Sequence, residues 1–305
     1  MTSTTQTFSQ TARLSPWLIV LAALSWGTIT VSTNAIYQLT PAANAPSIGF
    51  WRMLFSVPVL SVLAWRAVGR RLFCVAPRDL RLIGLIGLAM AAYQVCLFSA
   101  IPRLGVTVAV IITICSAPVM VGVLAALFLG ERLTARVGLA LVLAVAGTAL
   151  LSGLATLDGE ARVGDPGGIA LALGAGLSYA LVTLGGRALA GRYPTLQTIT
   201  LGFAVSAGLL LPFALANGLV TDFPAAGWGL LIYLGVVPTA LAYWLYVEGL
   251  KHTPATTSSI IALLEPLFAS ALAAVFFGER LEPAGWLGAA LLLGALVVLL
   301  GKKTH

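Results

Sequence analysis

Charged side chains are scarce in this chain. Only 9% of its 305 residues are Asp, Glu, Lys or Arg, whereas 59% are hydrophobic, and the mean hydropathy is +1.01. Soluble globular domains carry about 25% charged residues, so the composition excludes that class and predicts an integral membrane protein. The lipid bilayer is therefore the first partner that the sequence implies.

Residues that usually carry out chemistry are also few. There are two histidines, His252 and His305, and three cysteines, Cys74, Cys96 and Cys115. An odd number of cysteines in or beside apolar segments favours buried small residues over a disulfide framework or a metal site. No HExxH, GxSxG or P-loop motif occurs, which argues against a hydrolase and against internal ATP hydrolysis. We therefore predict no enzyme, no cofactor and no metal, and keep a membrane-embedded enzyme as a remote alternative.

Ten apolar segments make up most of the chain. Each is about long enough to cross a hydrocarbon core of roughly 30 Å as a helix. Their predicted bounds are 17–37, 47–65, 80–101, 105–129, 134–153, 167–187, 195–217, 226–248, 254–277 and 284–300. We expect the first segment to be a retained helix, because it is longer than a signal-peptide core and lacks a clear cleavage site. The predicted fold class is an all-α integral membrane protein with short tails at 1–16 and 301–305.

The basic residues are distributed unevenly between the two predicted sides of the membrane. If the N-terminus is cytoplasmic, 13 of the 17 fall on cytoplasmic segments and three on the other side, with Arg52 left inside a helix. Such a bias follows the positive-inside rule, so orientation explains the net charge of +7 and predicts no nucleic-acid partner. We expect a monomer or homodimer in the cell inner membrane with both termini cytoplasmic.

One segment of the sequence occurs twice. "APVMVGVLAALFLGERL" in the fourth segment and "EPLFASALAAVFFGERL" in the ninth place Pro118 and Pro266 twelve positions before GERL, 148 residues apart. The chain therefore divides into two five-helix halves, 17–153 and 167–300, joined by a linker at 154–166. Because five is odd, the halves must be inverted in the membrane. Inverted repeats are typical of transporters, with the substrate site near the midplane between the halves.

These repeated segments, together with "LSWGT" at residues 24–28, resemble the EamA-type ten-helix transporters of the drug/metabolite transporter superfamily over nearly the whole chain. The resemblance implies that helices 1–4 and 6–9 surround a central cavity, with helices 5 and 10 outside as supports. In general character the sequence is similar to bacterial inner-membrane amino-acid exporters, including those of aromatic amino acids. A secondary or facilitative exporter of small molecules that works by alternating access is the resulting expectation, with efflux of hydrophobic cations or drugs as the alternative.

Glu265 is the residue on which the transport hypothesis depends most. It lies about eleven residues into the ninth segment, near the bilayer centre, where an ionised carboxylate needs water or a partner. It could bind a substrate or a proton, or it could lock two helices together. The adjoining Pro266 removes a backbone hydrogen bond, and we expect Pro118 and Pro266 to break their helices and to take part in gating. Ala117 takes the place of the acid in the first half.

Polar and aromatic residues at three- and four-residue spacing form a stripe on the first helix, with a counterpart on the sixth. Such residues could line a cavity or pack between helices. In a cavity, the aromatics would hold an apolar side chain, while Gln94, Asn34 and hydroxyl groups would bind an ammonium and a carboxylate. The predicted substrate-binding residues are Trp26, Thr30, Asn34, Tyr93, Gln94, Thr113, Ser116, Tyr179, Thr183, Tyr243, Ser258 and Glu265.

Arg52 and the two GERL tetrads are the remaining charged candidates. Arg52 lies six residues past Pro46, so its guanidinium could snorkel to the outer interface. Alternatively, it could attract a substrate carboxylate to the outer mouth or pair with an acidic side chain. The tetrads at 130–133 and 278–281 end the fourth and ninth segments, where we expect a structural role for their Glu and Arg side chains at the polar interface.

Overall fold

The computed structural model describes residues 2–152, 165–277 and 282–300, and the regular structure in these ranges is helical. Nine helices are long and apolar enough to cross a membrane, and the shorter apolar helix Ala135–Leu151 supplies a tenth. The predicted all-α, ten-helix membrane fold is therefore confirmed. The linker after residue 152, the second GERL tetrad and the C-terminal tail lie outside the described residues.

The first five spans are single helices. They are α1 Thr2–Leu39, α2 Ala45–Val68, α3 Pro77–Leu104, α4 Val106–Leu129 and α5 Ala135–Leu151, with a 3₁₀ turn at Gly69–Phe73 after α2. Local signals set several of the ends. The Asn44 side chain accepts a hydrogen bond from the Ser47 N–H (2.8 Å) and caps α2, and Thr134 caps α5 in the same way. Gly130 ends α4 with a left-handed φ of 66°.

The second five spans include two composite ones. The sixth and seventh are α6 Pro166–Leu189 and α7 Thr195–Ala216. The eighth joins α8 Ala225–Gly235 to α9 Ala242–Gly249 through a π-helical stretch, Val236–Leu241, and the ninth consists of α10 Ala255–Ala262 and α11 Leu264–Phe277. The tenth is α12 Pro283–Leu300. Irregular backbone therefore occurs in the two spans next to the candidate site.

The fourth and ninth spans differ at their equivalent prolines. The ninth is interrupted at Leu263, directly before the segment that carries Glu265 and Pro266. In contrast, α4 runs unbroken through Pro118, so the expectation that Pro118 breaks its helix is wrong. The physical reason is tight support from α6. A Cβ on Gly176 would lie 3.4 Å from the Ala117 nitrogen, so α6 packs directly on α4 at this level, and membrane helices tolerate proline where neighbouring helices support the backbone.

The packing of the spans has the pattern expected of two inverted halves. The second span packs against the seventh and the fifth against the tenth, which are both pairs of repeat equivalents. The remaining main contacts occur in matched pairs. The third span packs on the sixth as the first packs on the eighth, and the fourth packs on the sixth as the first packs on the ninth.

The fifth and tenth spans pack closely against each other. A Cβ on Gly147 would lie 2.7 Å from the Gly288 oxygen, and one on Gly288 would lie 2.6 Å from the Gly147 oxygen. The two backbones therefore touch, as small residues permit between membrane helices. Neither span lines the cavity described below, in agreement with the supporting position that the family resemblance implied.

Loops predicted on one side of the membrane meet at one end of the bundle. Asp79 accepts a hydrogen bond from the Tyr193 hydroxyl (2.8 Å) and lies 3.4 Å from Arg192. At the other end, the Asn44 amide donates to the backbone oxygens of Asn217 and Gly218, at 3.1 and 2.9 Å. We call the end with Asp79 and Arg192 the basic end, and the end with Asn44 the opposite end.

Candidate functional site

A small cavity lies beside the interruption of the ninth span, between the third, fourth, sixth and ninth spans. Its volume is about 40 Å³. The lining residues are Tyr93, Thr113, Ile114, Ala117, Pro118, Tyr179, Ser259, Ala262, Leu263 and Glu265. A space of this size holds about three water molecules at most, so a metabolite enters only when the surrounding helices separate. The structure is thus a closed form of the central site.

Glu265 supplies the carboxylate of this cavity. Among the described residues, no side chain or backbone group forms a hydrogen bond or a close ion pair with it. A residue that locks two helices together needs such bonds, and within the described ranges Glu265 has none.

Arg52 turns towards the centre of the bundle. Its Nε is buried and has no hydrogen-bond partner among the described residues. The guanidinium interacts electrostatically with Glu265, Tyr93 and Tyr243, and the Arg52 backbone packs against Gly235 of the eighth span. The side chain therefore does not snorkel to the interface, and it brings a positive charge to the group of residues around the cavity.

An aromatic cluster made of Trp26, Tyr93, Tyr179, Tyr243 and Tyr246 connects the first span to the cavity. The Trp26 ring lies 5.1 Å from Tyr243 and 5.2 Å from Tyr246, and the Tyr93 and Tyr179 rings lie 6.5 Å apart. The Tyr246 hydroxyl is 3.2 Å from that of Tyr179 and 3.1 Å from the Thr183 hydroxyl. Side chains from both halves are thereby joined in one apolar and hydroxyl-bearing surface.

Several predicted site residues come together here. The cavity lining contains Tyr93, Thr113, Tyr179 and Glu265, together with Pro118. Trp26, Thr183 and Tyr243 lie in the aromatic cluster or against it. These residues come from six different spans. The stripe on the first helix and its counterpart on the sixth do meet, through Tyr246, which bonds to Tyr179 and packs on Trp26.

Other predicted residues lie elsewhere. The hydroxyls of Ser116 and Ser258 donate to their own helices, at the oxygens of Thr113 (3.2 Å) and Pro254 (2.9 Å). Thr30 is exposed and Asn34 half-buried on the half of α1 that leads to the opposite end, and neither lines the cavity.

Gln94 is 1% exposed and faces the second span, because a Cβ on Gly49 would lie 2.5 Å from its amide oxygen. Among the described residues neither polar atom of its amide has a hydrogen-bond partner. It does not line the cavity.

Two hydroxyl-bearing residues that line the cavity or bridge the cluster were absent from the predicted set. Tyr246 is the largest fully buried side chain of the described residues, and its position three residues after Tyr243 would have placed it on the same helical face. Ser259 follows Ser258 and occupies the face that meets the cavity. Pro238 lies inside the π-helical stretch Val236–Leu241 that precedes both tyrosines, and an interior proline is the sequence signal that could have indicated an irregular helix here.

The fold and the cavity together define a multi-pass membrane protein built like a transporter, with a closed central site between its two halves. Comparison with known proteins identifies the kind of transporter. The EamA-like transporter family matches twice, over residues 14–153 and 166–301. The chain therefore belongs to the EamA-like transporter family.

Curated relatives of nearly the same length are transporters and exporters. The uncharacterized transporter YwfM of Bacillus subtilis (strain 168) is 34% identical over 282 residues, 92% of each chain. The probable terminal-alkyne amino-acid exporter of Streptantibioticus cattleyicolor is 28% identical over 294 residues, 94% of this chain and 93% of that one. The pseudopaline exporter CntI of Pseudomonas aeruginosa is 26% identical over 285 residues, 93% of this chain and 96% of that one.

A solved crystal structure has the same fold. It superimposes with a TM-score of 0.80 at 19% identity and covers 95% of this chain and 96% of its own. At this identity the likeness concerns the fold alone.

Proposed function

We propose that the protein exports small amphipathic metabolites, above all neutral amino acids including aromatic ones, as a secondary or facilitative transporter that works by alternating access. The proposal depends most on the carboxylate of Glu265. This group lies in a closed cavity next to the aromatic cluster, and no described residue forms a hydrogen bond with it. An amino-acid exporter among the relatives supports the same substrate class.

The charges around the cavity suit the two ends of a zwitterion. In this proposal Glu265 binds the substrate ammonium and Arg52 binds its carboxylate, because each ionised group needs an opposite charge once water is excluded. The aromatic cluster holds the side chain by dispersion and by contacts to the tyrosine rings. Gln94 and Asn34, to which the sequence assigned the polar contacts, are not required.

The same pair of charges argues against the alternative of hydrophobic cations. A lone cation bound at Glu265 would lie near the Arg52 guanidinium, which interacts with that carboxylate, and like charges in a desolvated site repel. A zwitterion brings its own carboxylate to Arg52 and avoids this repulsion.

The orientation in the membrane follows from the distribution of basic residues. We propose that the protein lies in the cell inner membrane, with the basic end and both termini facing the cytoplasm.

Counterflow in liposomes that contain the purified protein tests this function. Liposomes are loaded with one unlabelled solute and exposed to labelled phenylalanine, leucine, tetraphenylphosphonium or a nucleotide sugar. We expect saturable exchange of the two amino acids and none of the other solutes above protein-free liposomes. Exchange of tetraphenylphosphonium alone would replace the proposal with drug efflux, and exchange of the nucleotide sugar alone would contradict both.

A further inference from the structure

One carboxylate closes the basic end between the fourth and ninth spans. Glu131, from the first GERL tetrad, accepts hydrogen bonds from the N–H groups of Ala255 (2.6 Å) and Thr256 (3.1 Å) and from the Thr256 hydroxyl (2.8 Å). Glu131 belongs to the first half of the chain and α10 to the second. The contact is therefore made between the halves, and it does more than end a helix at the membrane surface.

A carboxylate such as that of Glu131 is well suited to the first turn of a helix. The N–H groups of the first helical turn have no acceptor within the helix, and the aligned peptide dipoles give that end a partial positive charge. A carboxylate satisfies both features with charge-assisted hydrogen bonds. Because these bonds point from one half to the other, they exist only while the fourth and ninth spans are close at the basic end.

An apolar seal surrounds the Glu131 contact. Ala255 is fully buried in a cluster with Val121 and Ala125 of α4. A Cβ on Gly122 would lie 3.4 Å from the Thr256 methyl group, so α4 passes close to α10 at this level. These apolar contacts hold α4 against the first turn of α10 beside the Glu131 contact.

The repeat-related surface at the opposite end differs from this contact at one position. The offset of 148 residues places Thr107 at the position of Ala255 and Val108 at that of Thr256. Thr107 is exposed, whereas its equivalent Ala255 is 0% exposed, and Val108 is buried as Thr256 is. In a transporter with inverted halves, a difference between the two ends is expected when the protein is in one of the two states between which it alternates.

We infer that Glu131 is the latch that closes the basic end, and that its bonds to Ala255 and Thr256 break each time the central cavity opens to that end. The inference rests on alternating access as proposed above.

Sided thiol labelling tests the latch without any knowledge of the substrate. Ser259→Cys places a thiol in the cavity of a variant whose Cys74, Cys96 and Cys115 have been replaced, and a membrane-impermeant reagent is added to the basic end of oriented vesicles. We expect Glu131→Ala to raise the labelling rate about tenfold, the effect of a modest shift between two states. Unchanged labelling in Glu131→Ala, with or without a lower unfolding temperature, would overturn the inference.

Glu248→Ala is the matched control for that experiment. Glu248 is another carboxylate of the basic end, but its bonds go to Thr195 and Lys251 of its own half. Its removal should leave the labelling rate unchanged. A rise equal to that of Glu131→Ala would show that any lost carboxylate loosens this end, and it would overturn the specific role of Glu131.

Cross-linking supplies a second test that depends on transport. Cysteines at Glu131 and Thr256 in the same background are bridged with a short, reducible bis-thiol reagent. We expect bridging to stop counterflow and reduction to restore it. Full exchange by the bridged protein would contradict the latch. If wild-type protein exchanges no amino acid while the labelling responds as expected, the proposed substrate fails and the latch stands.

Discussion

Glu265→Gln is expected to lower amino-acid counterflow by at least about 30-fold, because loss of one partner of a desolvated charge pair costs roughly 2–5 kcal/mol. Glutamine has nearly the same shape as glutamate but cannot pair with a substrate ammonium or release a proton at neutral pH. Since no described residue bonds to the carboxylate, folding should be nearly unaffected. Initial rates of exchange and thermal unfolding in detergent measure the two effects separately.

A matched control for Glu265→Gln is available on the surface. Glu282 is an exposed carboxylate just before α12, and Glu282→Gln should retain wild-type exchange. Unchanged and fully pH-dependent transport by Glu265→Gln would remove this residue from the substrate and proton pathway. Loss of folding in that variant would instead favour a helix-locking role.

Arg52→Leu is expected to separate substrates by their carboxylate. Phenylalanine should lose about 100-fold in apparent affinity, a similar cost for an unpaired buried charge, whereas phenethylamine, which lacks the carboxylate, should lose far less. Both affinities are measured as inhibition of counterflow of labelled leucine, or of efflux of leucine where exchange is too slow. Arg52→Lys keeps the charge without the planar, bidentate fork. Its apparent affinity for phenylalanine should lie between that of the wild-type protein and that of Arg52→Leu.

The outcome that contradicts this role is an equal loss for both compounds. Such a result would assign Arg52 to the packing of the second span on the eighth, where its backbone contacts Gly235. The double variant Arg52→Leu/Glu265→Gln controls for the charge left uncompensated by the single change. It should fold at least as well as Arg52→Leu and should still fail to exchange phenylalanine.

The number and direction of the helices follow from simple features of the sequence. Apolar runs of sufficient length predict spans, and the equal spacing of Pro118 and Pro266 from GERL predicts two halves of odd helix number. The inverted packing needs no further information. Glu265 could be singled out because a lone carboxylate near the bilayer centre is costly without a function.

The surroundings of the side chains could not be predicted in the same way. Helical periodicity places Gln94 beside Tyr93 but does not show that it turns towards Gly49 and away from the cavity. Pro118 and Pro266 look equivalent in the sequence, but α4, which packs on α6 at this level, runs unbroken through Pro118. Glu131 and Ala255 are in contact although they are 124 residues apart in the sequence. The GERL motif by itself therefore predicted only a structural role at the end of a helix. Tertiary contacts between the halves decide each of these cases.

Substrate protection of the cavity tests the central claim most directly. In the cysteine-replaced background, Ser259→Cys is labelled in proteoliposomes at increasing phenylalanine concentration, with the buried Ser206→Cys outside the cavity as a control. The account predicts that phenylalanine slows the labelling of Ser259→Cys, half-maximally at the concentration that half-saturates counterflow, and that Ser206→Cys stays unreactive. Saturable phenylalanine exchange with no protection at Ser259 would place the transport pathway outside this cavity and contradict the account.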